Sequence, residues 1–302
     1  MVAPELVEVA EGVHAYLQPD GGWCLNNAGV ITTPDGAVVV DTAATERRAL
    51  ALRDAVDGVA GGERRLVVNT HFHGDHVFGN AVFGPEATVV SHAGTREEIA
   101  ETGLALTGLW PDVEWGDVGV VPPGVTYTDR LTVHAGGRRI ELISAGPAHT
   151  RHDTVVWLPE ERVLFAGDIV MPGCTPFVMM GTVSGTLATL DLLRELRPEV
   201  VVGGHGPVAG PHAFDETEAY LRWLLRVAAD GARRGLDALG TARECSLGEY
   251  GGLLDPERLV GNLHRALLEL GEPGGEPGLP LDVPAVFGEI VEFNGGLPAC
   301  HA

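Results

Sequence analysis

The chain has 302 residues, long enough for one or two domains with a sizeable core, and 45% hydrophobic against 21% charged residues is the balance of a soluble globular protein. A formal net charge of −22 repels phosphate backbones and excludes nucleic acid as a general partner, and no apolar run is long enough to make the membrane one. Four cysteines far apart, with no CxxC pair and no basic-then-apolar start, lead to the expectation of a cytoplasmic protein with free thiols.

In chain order, residues 5–18 alternate apolar and polar as short strands with a turn at "AEG", and "QPDGGWC" (18–24) reads as a hairpin loop. "NAGVIT" and "GAVVVD" are strands split by the turn "TPDG". Residues 43–57 carry Ala49, Leu52 and Val56 at helical spacing, and "RRLVVNT" (64–70) is a buried strand. A strand at 87–92, a helix at 93–106 and a loop at 108–117 follow, then strands at 131–134, 139–144, 153–158 and 162–167. Residues 184–196 form a helix with Ser184 as candidate N-cap, and 199–204 a strand. Beyond residue 211 the pattern is helical, at 213–234, 255–270 and 283–293, with a Gly/Pro linker at 271–282. Strand-rich α/β in the first part and hairpins at the start favour two packed mixed sheets over a doubly wound parallel sheet.

The chemistry concentrates in "NTHFHGDHVFGN" (69–80), which follows a strand. In extended backbone His71 and His73 point to one side, while Asp75 and His76 can face a second point nearby. Four such groups exceed what one catalytic metal with an open position needs, so two metals are expected. Further candidates end other strands: His149 in "SAGPAHTRHD", Asp168 in "VLFAGDIV" and His205 in "VVVGGHGPV". Strand-to-loop junctions are where α/β proteins place chemistry.

Taken in order, "THFHGDH", "GPAHT", "AGD" and "GGHG" resemble the metallo-β-lactamase fold superfamily. The resemblance implies an α/β (α+β) fold, a four-layer αβ/βα sandwich of two mixed β-sheets over residues 1–211, with a C-terminal helical extension at 212–302. It implies two Zn²⁺ per chain: His71, His73 and His149 on the first, Asp75, His76 and His205 on the second, Asp168 between them. Asp75 has a second expected role, orienting the attacking water and taking its proton. Asp41, ending "VVVD", is expected to support the site rather than bind metal.

Along nearly its whole length the sequence also resembles bacterial aromatic polyketide cyclases of the actinorhodin type, in "GGWCLNNAGV", "TGLALTGLWP", "YLRWLLR" and "GLLDPERLVGNLHRA" among others. That resemblance implies second-ring aldol cyclisation and thioester hydrolysis of a polyketide bound to an acyl carrier protein. The alternative is a glyoxalase II-like hydrolase of small-molecule thioesters or lactones. Expected pocket residues are Trp23, Trp110, Trp115, His152, Met171, Phe177 and Met179, with Met180 beside them. The C-terminal helices are candidates for a homodimer interface or for a cap on the core.

Overall fold

A computed structural model describes residues 3–271 and 281–302. The Gly/Pro linker expected at 271–282 falls largely on 272–280, outside the described residues.

Two mixed sheets face each other. The first runs in sequence order: β1 (Glu5–Ala10), β2 (Val13–Leu17), β3 (Ala28–Thr33), β4 (Gly36–Val40), β5 (Arg64–Val68), β6 (Thr88–His92) and β7 (Val125–Tyr127). Its first four strands are antiparallel hairpins, and β4 to β7 are parallel. The second sheet contains β8 (Arg130–Ala135), β9 (Arg138–Ser144), β10 (Thr154–Leu158), β11 (Val163–Gly167) and β12 (Val200–Gly203), ordered β12-β11-β10-β9-β8. Only its β11–β12 pair is parallel.

Strand β4 explains the layering. All five of its residues are buried, as a strand covered on both faces requires. Val38 and Val40 pack with Leu142, Leu158 and Phe165 of the opposite sheet. Ala37 and Val39 point the other way, to Leu52 and Val56 of α1 (Glu46–Val59). On the far side, Leu164 and Val201 pack against Leu190 and Leu193 of α4 (Val183–Leu196) and Phe214 of α5 (His212–Arg233). The result is helix, sheet, sheet, helix, the four layers expected. Gly29 is needed where the sheets press closest, because a Cβ there would lie 2.5 Å from the Phe165 ring.

After β12 the chain is helical: α5, α6 (Ala238–Glu244), α7 (Arg258–Gly271) and α8 (Val283–Asn294). Buried residues of α5 recur at 213, 214, 217, 220, 221, 224 and 228, the stripe of an amphipathic helix. Tyr220, Leu221 and Leu224 share a cluster with Leu259 and Leu263 of α7 and Phe287 of α8, and that cluster reaches Met171, Phe177 and Met179.

Some elements differ from expectation. The helix expected at 93–106 is α3 (Ala93–Thr102); Gly103, at φ +57, ends it, and a separate 3₁₀ turn covers Ala105–Gly108. The N-cap of α4 is Thr182, not Ser184, because the Thr182 hydroxyl accepts from the Gly185 N–H at 2.9 Å. Helix α6 and strand β7 are additions to the expected set. Asp237 caps α6 by accepting from the Gly240 N–H at 2.7 Å.

Candidate metal centre

Every candidate ligand sits just past the C-terminal end of a strand, along one edge of the sandwich. β5 leads to His71, His73 and the short helix α2 (Gly74–Val77), which carries Asp75 and His76. The loop after β9 carries His149, β11 delivers Asp168, and β12 delivers His205.

The side chains converge in two groups. In the first, His73 Nδ1 lies 3.1 Å from His71 Nε2 and 2.9 Å from His149 Nε2, and Asp168 Oδ2 lies 3.4 Å from His149 Nε2. In the second, Asp75 Oδ2 lies 3.4 Å from His205 Nε2 and 3.8 Å from His76 Nε2. Asp168 stands between them: Oδ1 is 3.2 Å from His76 Nε2, and Oδ2 is 3.5 Å from His205 Nε2. His71, His73, His149 and Asp168 form one set able to hold an ion, and Asp75, His76 and His205 a second.

The opposite ring nitrogens are tied down. His71 Nδ1 lies 3.0 Å from the Thr70 hydroxyl, His76 Nδ1 2.8 Å from Asp41, His149 Nδ1 2.5 Å from the Phe177 carbonyl and His205 Nδ1 2.9 Å from the Gly21 carbonyl. Such contacts fix ring and tautomer and leave the other nitrogen to a ligand. His73 is reversed: its Nε2 faces Met180 Sδ at 3.3 Å, and Nδ1 faces the cluster. Asp41 also accepts from the Thr70 N–H at 2.7 Å and the Thr70 hydroxyl at 2.6 Å. Its carboxylate lies within reach of His71 and His76 as a third candidate group, but those bonds occupy it, which matches the supporting role expected.

The charge balance fits cations. Burial, reinforced by neighbouring imidazoles, holds His71 well below the usual histidine range and His73 down at about 3, so both are neutral, as ligands must be. Burial alone would also lower His76 and His205, yet the surrounding carboxylates outweigh it, raising His76 well above its usual value and His205 to about 9. Asp168 is held well below the carboxylate range: burial opposes this, but His76 and His205 overcome it. The carboxylates thus draw positive charge to where the two groups meet. There, His76 Nε2 and Asp168 Oδ1 are buried 3.2 Å apart, and neither has a further hydrogen-bond partner. Buried polar atoms of this kind need a partner, and the nitrogen and oxygen donors present suit zinc-like ions.

The cluster opens on a cavity of about 350 Å³. Trp23, Met171, Phe177 and Met179 line it, with Met180 beside them. Trp110, Trp115 and His152 are placed elsewhere. Trp110 is buried behind Trp23, ring centroids 5.4 Å apart, and donates its indole N–H to the Pro298 carbonyl at 2.8 Å. Trp115 packs edge-on against Phe78 and donates to the Trp110 carbonyl at 3.1 Å. His152 stacks on His92, 4.9 Å between centroids and 15° between planes. Its neighbour Asp153 holds the His149 loop instead, accepting from the Thr150 N–H at 2.9 Å and the Thr150 hydroxyl at 2.7 Å. Sequence reasoning missed the wall supplied by the C-terminal helices: Arg258 of α7 and Val283, Pro284 and Phe287 of α8. At helical spacing those residues read as ordinary core.

A sandwich of two mixed sheets with a histidine–aspartate cluster at one edge defines a class of metal-binding α/β proteins. Residues 21–205 match the profile of the metallo-beta-lactamase superfamily, and the chain belongs to that superfamily of hydrolases. The match ends at His205, before the C-terminal helices begin. A metallo-beta-lactamase from Pontibacter korlensis shares the fold, with a TM-score of 0.60 and 22% identity over 73% of this chain and 99% of that one. A linear primary-alkylsulfatase of a Pseudomonas species is 25% identical over 62% of this chain, and a hydroxyacylglutathione hydrolase of a Synechococcus species 30% identical over 45%. The chain spans less than half of each of these relatives, 43% of the first and 46% of the second. Among the described residues, no helix is long and apolar enough to cross a membrane.

Proposed function

We propose that this chain is a dinuclear zinc hydrolase that cleaves the thioester of an aromatic polyketide held on an acyl carrier protein and promotes its second ring closure. The observation that carries this reading is the apolar cavity set directly against the histidine–aspartate cluster. His71, His73 and His149 would hold one zinc, Asp75, His76 and His205 the other, and Asp168 both. Bound there, such ions would supply a nucleophilic water at neutral pH and an electrophile for a carbonyl oxygen.

The chain's own residues do the remainder. Asp75 lines the cavity and is held down at about 2: burial would raise it, but His76 and His205 prevail. It stays a carboxylate throughout the physiological range, able to accept a hydrogen bond from the attacking water and orient it. Trp23, Phe177 and Met179 present an apolar wall for the rings and flat segments of such a chain and exclude bulk water. A folded poly-keto chain kept near an electrophile is also placed for intramolecular aldol closure.

A glutathione thioester is the second reading, favoured by the likeness to hydroxyacylglutathione hydrolases. The cavity supports it less, since glutathione brings two carboxylates and an ammonium to a wall whose one cation outside the cluster is Arg258 and whose other side chains are largely apolar. The test is a comparison on the zinc-loaded chain: an aromatic β-ketoacyl thioester of N-acetylcysteamine, which mimics the carrier arm, against S-lactoylglutathione. The expected kcat/KM ratio is about 100 or more in favour of the former, on the order of 3 kcal/mol. A ratio in favour of glutathione would remove the polyketide reading and leave the second.

A further inference from the structure

Outside the histidines and aspartates of the cluster, Arg258 is the charged side chain in the cavity wall. It opens α7 and is 2% exposed. Its guanidinium carbon lies 4.4 Å from the centroid of the Trp23 ring and 5.9 Å from that of Phe177. Trp23 is itself fixed, since its indole N–H donates to Glu257 at 2.6 Å.

The hydrogen bonds of this guanidinium are incomplete. Nη1 donates to the Thr175 carbonyl at 3.2 Å and approaches Met171 Sδ at 3.6 Å. Nη2 lies 2.8 Å from Asp255 Oδ2, an ion pair that answers part of its charge. Nε is buried with no acceptor at all. A guanidinium has five N–H donors, and burying one with donors unspent is costly. A leucine or methionine would close the same wall without that cost. A cation held over a tryptophan ring, at the side of an apolar cavity, instead suits a flat ligand with an electron-rich oxygen on its edge.

We propose that Arg258, stacked on Trp23, binds a ketone or enolate oxygen of the acyl chain. The preferred substrates are thereby thioesters of apolar, planar acyl groups that carry keto oxygens away from the scissile carbonyl, an inference that rests on the thioesterase reading above. The oxygen of such a chain meets Arg258 while its thioester lies at the histidine–aspartate cluster. A purely hydrocarbon acyl group would fill the cavity but leave the cation unsatisfied.

The test measures binding rather than turnover, on the full zinc-loaded chain, by quenching of tryptophan fluorescence. The probes are 2-acetylnaphthalene and 2-ethylnaphthalene, alike in shape and differing in one keto oxygen. Wild type is expected to bind the ketone about 10- to 100-fold more tightly, the range of a hydrogen bond to a charged group. Arg258→Met should abolish that preference and leave the affinity for the ethyl compound within about threefold. Arg258→Lys, which keeps the charge without the planar fork, should retain part of the preference. Three results overturn the proposal: no preference in wild type; a preference surviving in Arg258→Met, which would assign the oxygen to the metal ions; or loss of both probes in both variants, which would make the arginine a packing element. Since no chemistry is needed, an enzyme inert on every thioester would defeat the hydrolase reading while leaving this result to stand by itself.

Discussion

The cavity has a floor and a roof of opposite construction. The floor gathers histidines and aspartates from the segments that follow β5, β9, β11 and β12, four of the rings pinned by a carbonyl, hydroxyl or carboxylate behind them and His73 backed by the Met180 sulfur. The roof, from α7 and α8, presents carbon, with Arg258 its one charge among the described residues. The floor is polar and costly to bury, so it depends on partners, internal ones and a cation. The roof owes its stability to burial, which is non-directional and tolerant of exchange. Substitutions should therefore have large, specific effects on the floor and small, graded effects on the roof.

The sharpest test of that contrast is Asp168→Ala. The carboxylate touches both groups, with oxygens 3.2 Å from His76, 3.4 Å from His149 and 3.5 Å from His205. Metal bound per chain should fall from the proposed two toward one or none by elemental analysis, and kcat/KM should drop about 1,000-fold or more, the several kcal/mol such ions would supply. A variant that keeps two metals and full activity would end the claim that the floor works as a unit.

Behind the floor, Asp41→Asn should act more mildly. The amide keeps the shape but can no longer charge-balance His76 while accepting from both the Thr70 N–H and hydroxyl. Metal affinity is expected to fall about 10- to 100-fold, with kcat restored at saturating zinc, as measured by competition with a chromophoric chelator. No loss of affinity would mean that His76 is held by the fold alone.

The roof counterpart is Phe287→Leu. Phe287 lines the cavity and packs edge-on against Trp23, centroids 6.3 Å apart. Removing the ring should raise KM for an aromatic acyl thioester about 3- to 10-fold, roughly the 0.5–1.5 kcal/mol of an aromatic pair. Metal content should not change. If metal were lost as well, floor and roof would be one cooperative structure and the distinction drawn here would fail.

The same contrast explains what the sequence could reveal. The floor was legible because its residue types are rare in combination and its spacing follows backbone geometry: His71 and His73 two apart, Asp75 and His76 on the next turn. The sheets were legible through runs such as Gly36–Val40, buried on both faces. The roof was not, because Phe287 or Val283 in an amphipathic helix has the same pattern whether it faces a core or a ligand. Trp110 and Trp115 were expected at the wall for their size and position in a loop; burial behind Trp23 and Phe78 places them a layer back. His152 was drawn in by its nearness in sequence to His149, yet the turn that aims His149 inward sends His152 to stack on His92. Thr182 outcompeted Ser184 as a cap through a geometry that only the preceding loop decides.

Trp110 gives the smallest effect and separates the two layers of the aromatic wall that meets the roof. Its indole N–H donates to the Pro298 carbonyl, and its ring supports Trp23 from behind, 4% exposed. Trp110→Phe keeps most of the apolar contact and deletes that hydrogen bond, leaving the Pro298 carbonyl without this donor. The cost should be about 1 kcal/mol, and for a chain of this size a fall in Tm of roughly 2–4 °C. Activity on the aromatic thioester should stay within about twofold of wild type, because Trp23 remains the surface the substrate meets. A KM shift as large as that of Phe287→Leu would show instead that the second layer sets the position of the first. The wall would then have to be treated as one coupled assembly, Trp110 against Trp23 against Arg258, rather than as a set of independent apolar contacts.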